Sequence, residues 1–121
     1  MGIQNNPLSV KSFDFALKVV DLYKDIVRTE KEFVLSKQLL RAGTSIGANI
    51  AEANGAISKS DFSSKISIAY KESLETKYWL KILRDSNYVS EITANKLISD
   101  ADELSKIMFS ILKTTRINKE K

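Results

Sequence analysis

Apolar residues recur along the chain at steps of three and four residues, the spacing of amphipathic α-helices. The pattern forms four segments, at about residues 12–29, 34–54, 60–85 and 93–116, and none of the chain alternates as a β-strand does. Because the connections are short, consecutive helices should be antiparallel neighbours. The sequence therefore predicts an all-α, up-down four-helix bundle, with residues 1–121 as one domain.

The first two helices each have a candidate cap. Ser12 is placed to begin the first helix, in which four apolar residues recur at helical steps: Phe13, Leu17, Val20 and Val27. The second helix has one stripe of large and small residues, namely Leu39, Gly43, Ile46, Ile50 and Ala53. Gly55 follows the stripe as a candidate C-cap.

The last two helices have the most regular stripes. Ser60 is a candidate N-cap for the third helix, and Asp61 complements the positive end of its dipole. The third stripe keeps a 4-3-4-3 spacing through Phe62, Ile66, Ala69, Ser73, Thr76, Leu80 and Leu83. The fourth contains Leu97, Ala101, Leu104, Met108, Ile111 and Thr115. Both patterns indicate helices with one core-facing side.

Residues 41–55, RAGTSIGANIAEANG, place small residues in the middle of the second helix. Gly43, Gly47 and Ala51 form a stripe at four-residue steps, almost without side chains. Glycine costs a helix roughly 1 kcal/mol relative to alanine. We therefore expect a neighbouring helix to approach this stripe closely.

A strip of polar residues borders the other side of that core stripe: Arg41, Ser45, Asn49 and Glu52. One interpretation is a network that ties helices or subunits together, with Arg41 reaching a carboxylate such as Glu75. The other is that the strip lines a pocket. Because these side chains can satisfy one another's hydrogen bonds, the sequence favours the network.

The third helix has a second apolar face with Ile68, Trp79 and Ile82, among which Glu72 and Glu75 lie. A four-helix bundle buries one stripe per helix, so this face predicts contact with another subunit. The alternative is that lysine stems of the same chain cover Trp79.

Composition argues against an enzyme. The chain has no cysteine and no histidine, which removes the commonest metal ligands and a common general base. It also lacks a glycine-rich phosphate loop and a nucleophile elbow. The sequence therefore predicts no catalytic, cofactor-binding or metal-binding residues. Without a secretion signal or a long apolar run, a cytoplasmic location is expected.

The central motif resembles a bacterial family of four-helix proteins encoded in intervening sequences of 23S ribosomal RNA genes, also called S23 ribosomal proteins. The matching residues are Arg41, Ala42, Ser45, Ile46, Asn49, Ile50, Ala51 and Glu52, with Ser73, Leu74 and Glu75 further on. The family is in turn similar to the accessory variability protein of diversity-generating retroelements, which works with a reverse transcriptase. The resemblance covers residues 12–115.

The resemblance implies a ring-like homopentamer with a basic surface that engages RNA or DNA. It also implies a reverse transcriptase or another protein as a partner. The oligomer contacts expected from the two patterns above involve Arg41, Ser45, Asn49, Glu52, Ile68, Glu75 and Trp79.

The net charge of +4 is modest, and its clearest concentration is the C-terminal sequence KTTRINKEK. Candidate phosphate contacts are Lys37, Lys106, Lys113, Arg116 and Lys119. Basic residues at a helix C-terminus also complement the dipole, which is the alternative explanation. No run of aromatic residues lies beside this tail, so base-specific recognition is not predicted.

Two functions follow from the sequence. The first is a homo-oligomeric bundle that binds nucleic acid through phosphates, with an affinity that falls steeply with salt. The second is an oligomeric scaffold for a protein partner. An enzyme would instead need a pocket carboxylate with a strongly raised pKa.

Overall fold

The structure is a computed structural model that describes residues 6–120 and the side chains of residues 6–115. Four α-helices account for most of it: α1 (Pro7–Glu30), α2 (Leu35–Asn54), α3 (Lys59–Asp85) and α4 (Glu91–Glu120). Each helix packs against the next, and α1 also contacts α4. The predicted all-α, up-down arrangement is confirmed. Within the described range, no helix combines the length and hydropathy that a membrane crossing requires.

The core consists mainly of aliphatic side chains from all four helices. Its predicted stripes on α2, α3 and α4 are confirmed, with Phe62, Ile111 and Thr115 half-buried and every other member buried. The fully buried large side chains include Leu39, Ile46, Ile50, Ile66, Leu80, Leu83, Leu104 and Met108. The regular spacing of these residues is what keeps each helix facing the same core along its length.

The start of α1 differs from the prediction. Asn6, not Ser12, is the N-cap, and its side chain accepts a hydrogen bond from the Ser9 N–H at 2.8 Å. Pro7 is the first helical residue, where its fixed φ is already helical and its missing N–H costs nothing. Ser12 lies inside the helix, buried, with its hydroxyl donating to the Ser9 carbonyl.

The buried face of α1 also differs from the predicted stripe. Phe13 is 65% exposed and Leu17 is 51% exposed, whereas Phe15 and Val19 are buried. The helix has two apolar stripes on nearly opposite sides, so periodicity alone does not show which one packs. Contact with the glycines of α2 determines which of the two stripes of α1 is buried.

Gly43 and Gly47 let α1 approach α2 closely, as expected. A Cβ atom at Gly43 would lie 2.8 Å from both methyl groups of Val19. At Gly47, a Cβ atom would lie 3.3 Å from the carbonyl oxygen of Ser12. Neither methyl group fits without movement of α1, so the glycines set the separation of these two helices.

The remaining helix ends lie within two residues of their predicted positions, except that α4 continues to Glu120, four residues beyond the prediction. Ser58, not Ser60, caps α3 and accepts from the Asp61 N–H at 3.0 Å, while Asp61 lies in the first turn as expected. Gly55 is the C-cap of α2, as predicted. The hydroxyl of Ser90 accepts from the Thr93 N–H, so α4 begins at Glu91 and not at Thr93.

Glu32 caps α2 from the preceding connection. Its carboxylate accepts hydrogen bonds from the N–H groups of Leu35 at 2.8 Å, Ser36 at 2.7 Å and Val34 at 3.0 Å. Burial alone raises the pKa of Glu32, but these donors outweigh burial and lower it below the ordinary value. The start of α2 therefore depends on a negative charge.

Candidate functional site

The predicted polar strip on α2 ties that helix to α3 mainly through Arg41. Its Nη1 donates to Glu72 Oε2 at 2.8 Å, and its Nη2 donates to Glu75 Oε2. Partial burial lowers the pKa of Arg41, but hydrogen bonds and charge from the two carboxylates outweigh it and raise the pKa. The expected Arg41 to Glu75 contact is therefore present within one chain.

The other strip residues have local partners. Ser45 Oγ donates to the carbonyl oxygen of Arg41 at 2.6 Å, and Asn49 Nδ2 donates to that of Ser45 at 2.8 Å. Glu52 pairs with Lys65 across to α3 at 3.0 Å. Arg41 and Glu52 thus join two helices, whereas Ser45 and Asn49 bond within α2.

The second apolar face of α3 adjoins the Arg41 network. Trp79 is half-buried, and its Nε1–H donates to Glu75 Oε2 at 3.0 Å. The rings of Tyr78 and Trp79 meet edge to face, with centroids 5.1 Å apart. Ile68 is partly exposed. Trp79 is therefore held by a carboxylate of its own helix.

A larger uncharged area lies on α1 and α2. We call it the apolar surface; it contains Val10, Phe13 and Leu17 on α1, and Thr44, Gly47, Ala48 and Ala51 on α2. Val10 and Leu17 are each 51% exposed. Most of these residues line an open groove of about 800 Å³ between the helices. The small residues of α2 form its floor beside the ridge of α1.

Charges lie only at the edges of the apolar surface. Asp14 and Asp21 follow its α1 edge and Lys37 lies on its α2 edge, and among the described residues none of the three has an ion pair. Inside the groove, Asn54 Nδ2 donates to Ser9 Oγ at 3.3 Å. The Oδ1 atom of Asn54 is buried without a hydrogen-bond partner in the described part of the chain.

The opposite side of the bundle combines lysines with aromatic residues. We call it the lysine–aromatic surface; it contains Tyr70, Lys71, Lys77, Tyr78 and Lys81 on α3, and Asp102, Lys106, Phe109 and Lys113 on α4. Its five lysines and one aspartate give a net +4, equal to the net charge of the entire chain. The remaining residues are therefore neutral in sum.

Asp102 is the only acidic member of that surface. It pairs with Lys77 at 3.0 Å and with Lys106 at 3.1 Å. Hydrogen bonds from Lys77 and then Lys106 lower the pKa of Asp102. Lys71, Lys81 and Lys113 have no ion pair among residues 6–115. In the same range, no three acidic side chains come together as a metal site would require.

The structure separates the predicted phosphate-binding residues. Lys106 and Lys113 belong to the lysine–aromatic surface, whereas Lys37 lies on α2 at the edge of the apolar surface. Arg116 and Lys119 lie outside the residues whose side chains are described.

Sequence reasoning missed seven members of the lysine–aromatic surface: Tyr70, Lys71, Lys77, Tyr78, Lys81, Asp102 and Phe109. A helical wheel of α3 could have found part of it, because Lys71, Tyr78 and Lys81 share its outer face. Only folding brings Tyr70 of α3 to Phe109 of α4, with ring centroids 6.0 Å apart.

Two comparisons identify relatives of the chain. The family model described as 23S rRNA-intervening sequence protein matches residues 4–110. The chain is also similar to a protein of unknown function from the S23 ribosomal protein family of Bacteroides thetaiotaomicron VPI-5482, whose crystal structure is known. That match has 47% identity and a TM-score of 0.86, and covers 88% of this chain and 98% of the other. No curated protein matches the chain.

Proposed function

Because the chain belongs to the 23S rRNA-intervening sequence protein family, we propose that it is a non-enzymatic homo-oligomer that binds RNA or DNA through phosphates. The observation that carries the proposal is the lysine–aromatic surface, where five lysines and one aspartate lie with exposed aromatic rings on α3 and α4. Lysine ammonium groups without carboxylate partners are suited to phosphate oxygens, and their binding releases counterions.

Phosphate contact fits the arrangement better than base readout in a duplex. The lysines extend from α3 and α4 as separate point charges, and the neighbouring Arg84 is already occupied by an ion pair with Asp85 at 2.8 Å. Arginine is the residue that pairs most often with guanine edges, whereas lysine binds phosphate without reading sequence. The proposed binding is therefore largely independent of sequence.

Self-association is the second element of the proposal, and the occupant of the apolar surface is another copy of this chain. The ridge formed by Val10, Phe13 and Leu17 complements the small-residue floor on α2 in shape. Its acidic edge, with Asp14 and Asp21, complements the Lys37 edge in charge. Such a contact places opposite charges together around a dry centre.

A homopentamer, which the family resemblance implies, would multiply the charge. Five copies carry about +20 on their lysine–aromatic surfaces, enough to raise affinity for a polyanion well above that of one copy. A contact between unlike patches closes into a ring when the rotation between copies permits it.

The test is affinity for RNA and DNA at two salt concentrations, on protein whose mass is measured by light scattering. We expect an oligomer whose log affinity falls with log salt at a slope of roughly −2 to −4, from three to five phosphate contacts. A monomer would refute the self-association proposal, and no binding at low salt would refute the nucleic-acid proposal.

A protein-binding scaffold is the second candidate, and the apolar surface favours it. Exposed apolar areas that are not used between copies usually bind another protein. The family resemblance suggests a reverse transcriptase as one such partner. This candidate would gain support if the wild-type protein is monomeric and binds no nucleic acid at low salt.

A further inference from the structure

We propose that the ligand of the lysine–aromatic surface is single-stranded nucleic acid, whose bases stack on Phe109 and Tyr78 while neighbouring lysines contact its phosphates. The inference rests on the proposed nucleic-acid function and specifies its ligand. It comes from the placement of exposed aromatic rings between lysines, a feature that phosphate binding alone does not need.

Phe109 has a supporting aromatic ring and a lysine on each side along its helix. Its side chain is 54% exposed although it has no polar group. Tyr70 of α3 supports it from one side, with ring planes at 42°. Lys106 lies three residues before it and Lys113 four residues after it, which places them roughly 5 and 6 Å away along the helix axis. A base stacked on Phe109 would thus have a lysine near each flanking phosphate.

Tyr78 has a similar setting on α3. Its side chain is 56% exposed, and its ring meets that of Trp79 at 76°. Because the rings meet edge to face, Trp79 leaves at least one face of Tyr78 open. Trp79 is itself fixed by its hydrogen bond to Glu75. Lys81 follows Tyr78 by three residues, so this ring also has a cation one turn away.

Stacking distinguishes single strands from duplexes. In a duplex the bases are already stacked on one another and paired, so an aromatic side chain on a convex helix face gains nothing from them. In a single strand every base has a free face, and stacking on an aromatic ring contributes to affinity regardless of sequence. Lysines attract both forms, so aromatic side chains decide the preference.

The experiment compares fluorescently labelled oligo-U, oligo-dT and a duplex of equal strand length, by anisotropy at one low salt concentration. The variants are Phe109→Leu and Tyr78→Leu, which keep apolar bulk but remove the ring. Phe33→Leu is the matched control, because Phe33 is equally exposed but lies in the connection before α2. Thermal melting checks that each variant is folded.

We expect each surface variant to weaken binding of oligo-U, oligo-dT or both by roughly fivefold or more. Duplex affinity should stay unchanged, because all the lysines remain. Equal losses on single strands and duplex, or no loss on either single strand, would overturn the inference while leaving phosphate binding intact. Absence of binding by the wild-type protein to all three probes would overturn the proposed function as well.

Discussion

The α1–α2 and α3–α4 pairs are both antiparallel helix pairs, yet different interactions join them. No ion pair connects α1 to α2 among the described residues. Their closest contacts are Val19 against Gly43 and the Ser12 backbone against Gly47, and a hydrogen bond from Asn54 to Ser9 joins them at one end. By contrast, α3 and α4 share polar contacts. Ser73 and Ser105 are hydrogen-bonded at 2.7 Å in the core, and the Lys77 to Asp102 ion pair lies outside them.

The outer surfaces differ in the same way. The α1–α2 pair exposes the apolar surface, and the α3–α4 pair exposes the lysine–aromatic surface. In the α1–α2 pair, the small residues of α2 have two effects. They let α1 pack closely, and they leave an uncharged floor on the outer surface. A bundle with two such unlike sides is suited to bind its own copies on one and a polyanion on the other.

The largest effect should come from charges placed on the apolar surface. Phe13→Glu combined with Leu17→Glu should weaken self-association more than about a thousandfold, because carboxylates would have to be buried between copies. Light scattering at micromolar concentration measures the mass. Ile57→Glu with Ile92→Glu is the control, since both isoleucines are exposed away from that surface. Unchanged mass in the first variant would assign the contact to another surface.

Charge reversal on the lysine–aromatic surface tests the other half of the comparison. Lys71→Glu with Lys113→Glu should lower nucleic-acid affinity about a hundredfold at low salt and reduce the salt slope by about 2. Lys31→Glu with Lys59→Glu makes the same change in net charge away from both named surfaces. If both double variants lose affinity equally, total charge and not the surface governs binding.

Gly43→Ala tests the close packing of α1 against α2. The added methyl would meet a buried, stiff Val19, and we expect a net loss of about 1–2 kcal/mol in unfolding free energy despite alanine's better helix propensity. Urea unfolding measures the loss. In a Val19→Ala background, Gly43→Ala should cost less, because the overlap is then relieved. An equal cost in both backgrounds would show that the glycine serves another purpose.

The smallest expected effect is a difference in the pH dependence of stability between the caps of α2 and α3. The carboxylate of Glu32 caps α2, whereas the uncharged hydroxyl of Ser58 caps α3. Because folding lowers the pKa of Glu32, its contribution is present above the unfolded pKa of about 4.3 and is lost as pH falls through the folded value. Glu32→Gln should cost about 1 kcal/mol near neutral pH.

The matched change for that comparison is Ser58→Ala, which should cost a similar amount at every pH. Urea unfolding between pH 3 and 7 measures both. The difference between wild type and Glu32→Gln should shrink at acid pH, while the difference for Ser58→Ala should stay constant. A constant difference for Glu32→Gln would mean that its charge does not stabilise α2.

Much of the fold could be predicted because the spacing of apolar residues within each helix indicates both the helix and its buried side. The stripes of α2, α3 and α4 each have one face of apolar residues, so their buried sides followed from spacing alone. The N-caps of α1 and α3 were misplaced because Ser and Asn residues lie at several nearby positions. Asn6 with Pro7, and Ser58 with Asp61, are recognised only when the local hydrogen bonds are known.

The candidate surfaces could be predicted only in part. Arg41 was correctly paired with Glu75, since a guanidinium beside the core must find a carboxylate and few lie near. The emphasis on the C-terminal lysines identified Lys106 and Lys113 but not their neighbours on α3. The lysines of α3 and α4 are distant in sequence, so the sequence does not show that folding places them on one surface.

The sequence by itself determined that four helices form, which sides of α2, α3 and α4 are buried, and that the glycines of α2 admit a neighbour closely. Only the tertiary structure decided which of the two apolar stripes of α1 is buried and which cations of α3 and α4 share one surface. The physical reason is that periodicity defines the faces of each helix separately. Its rotation against its neighbours is set by side-chain packing, here by Val19 against Gly43.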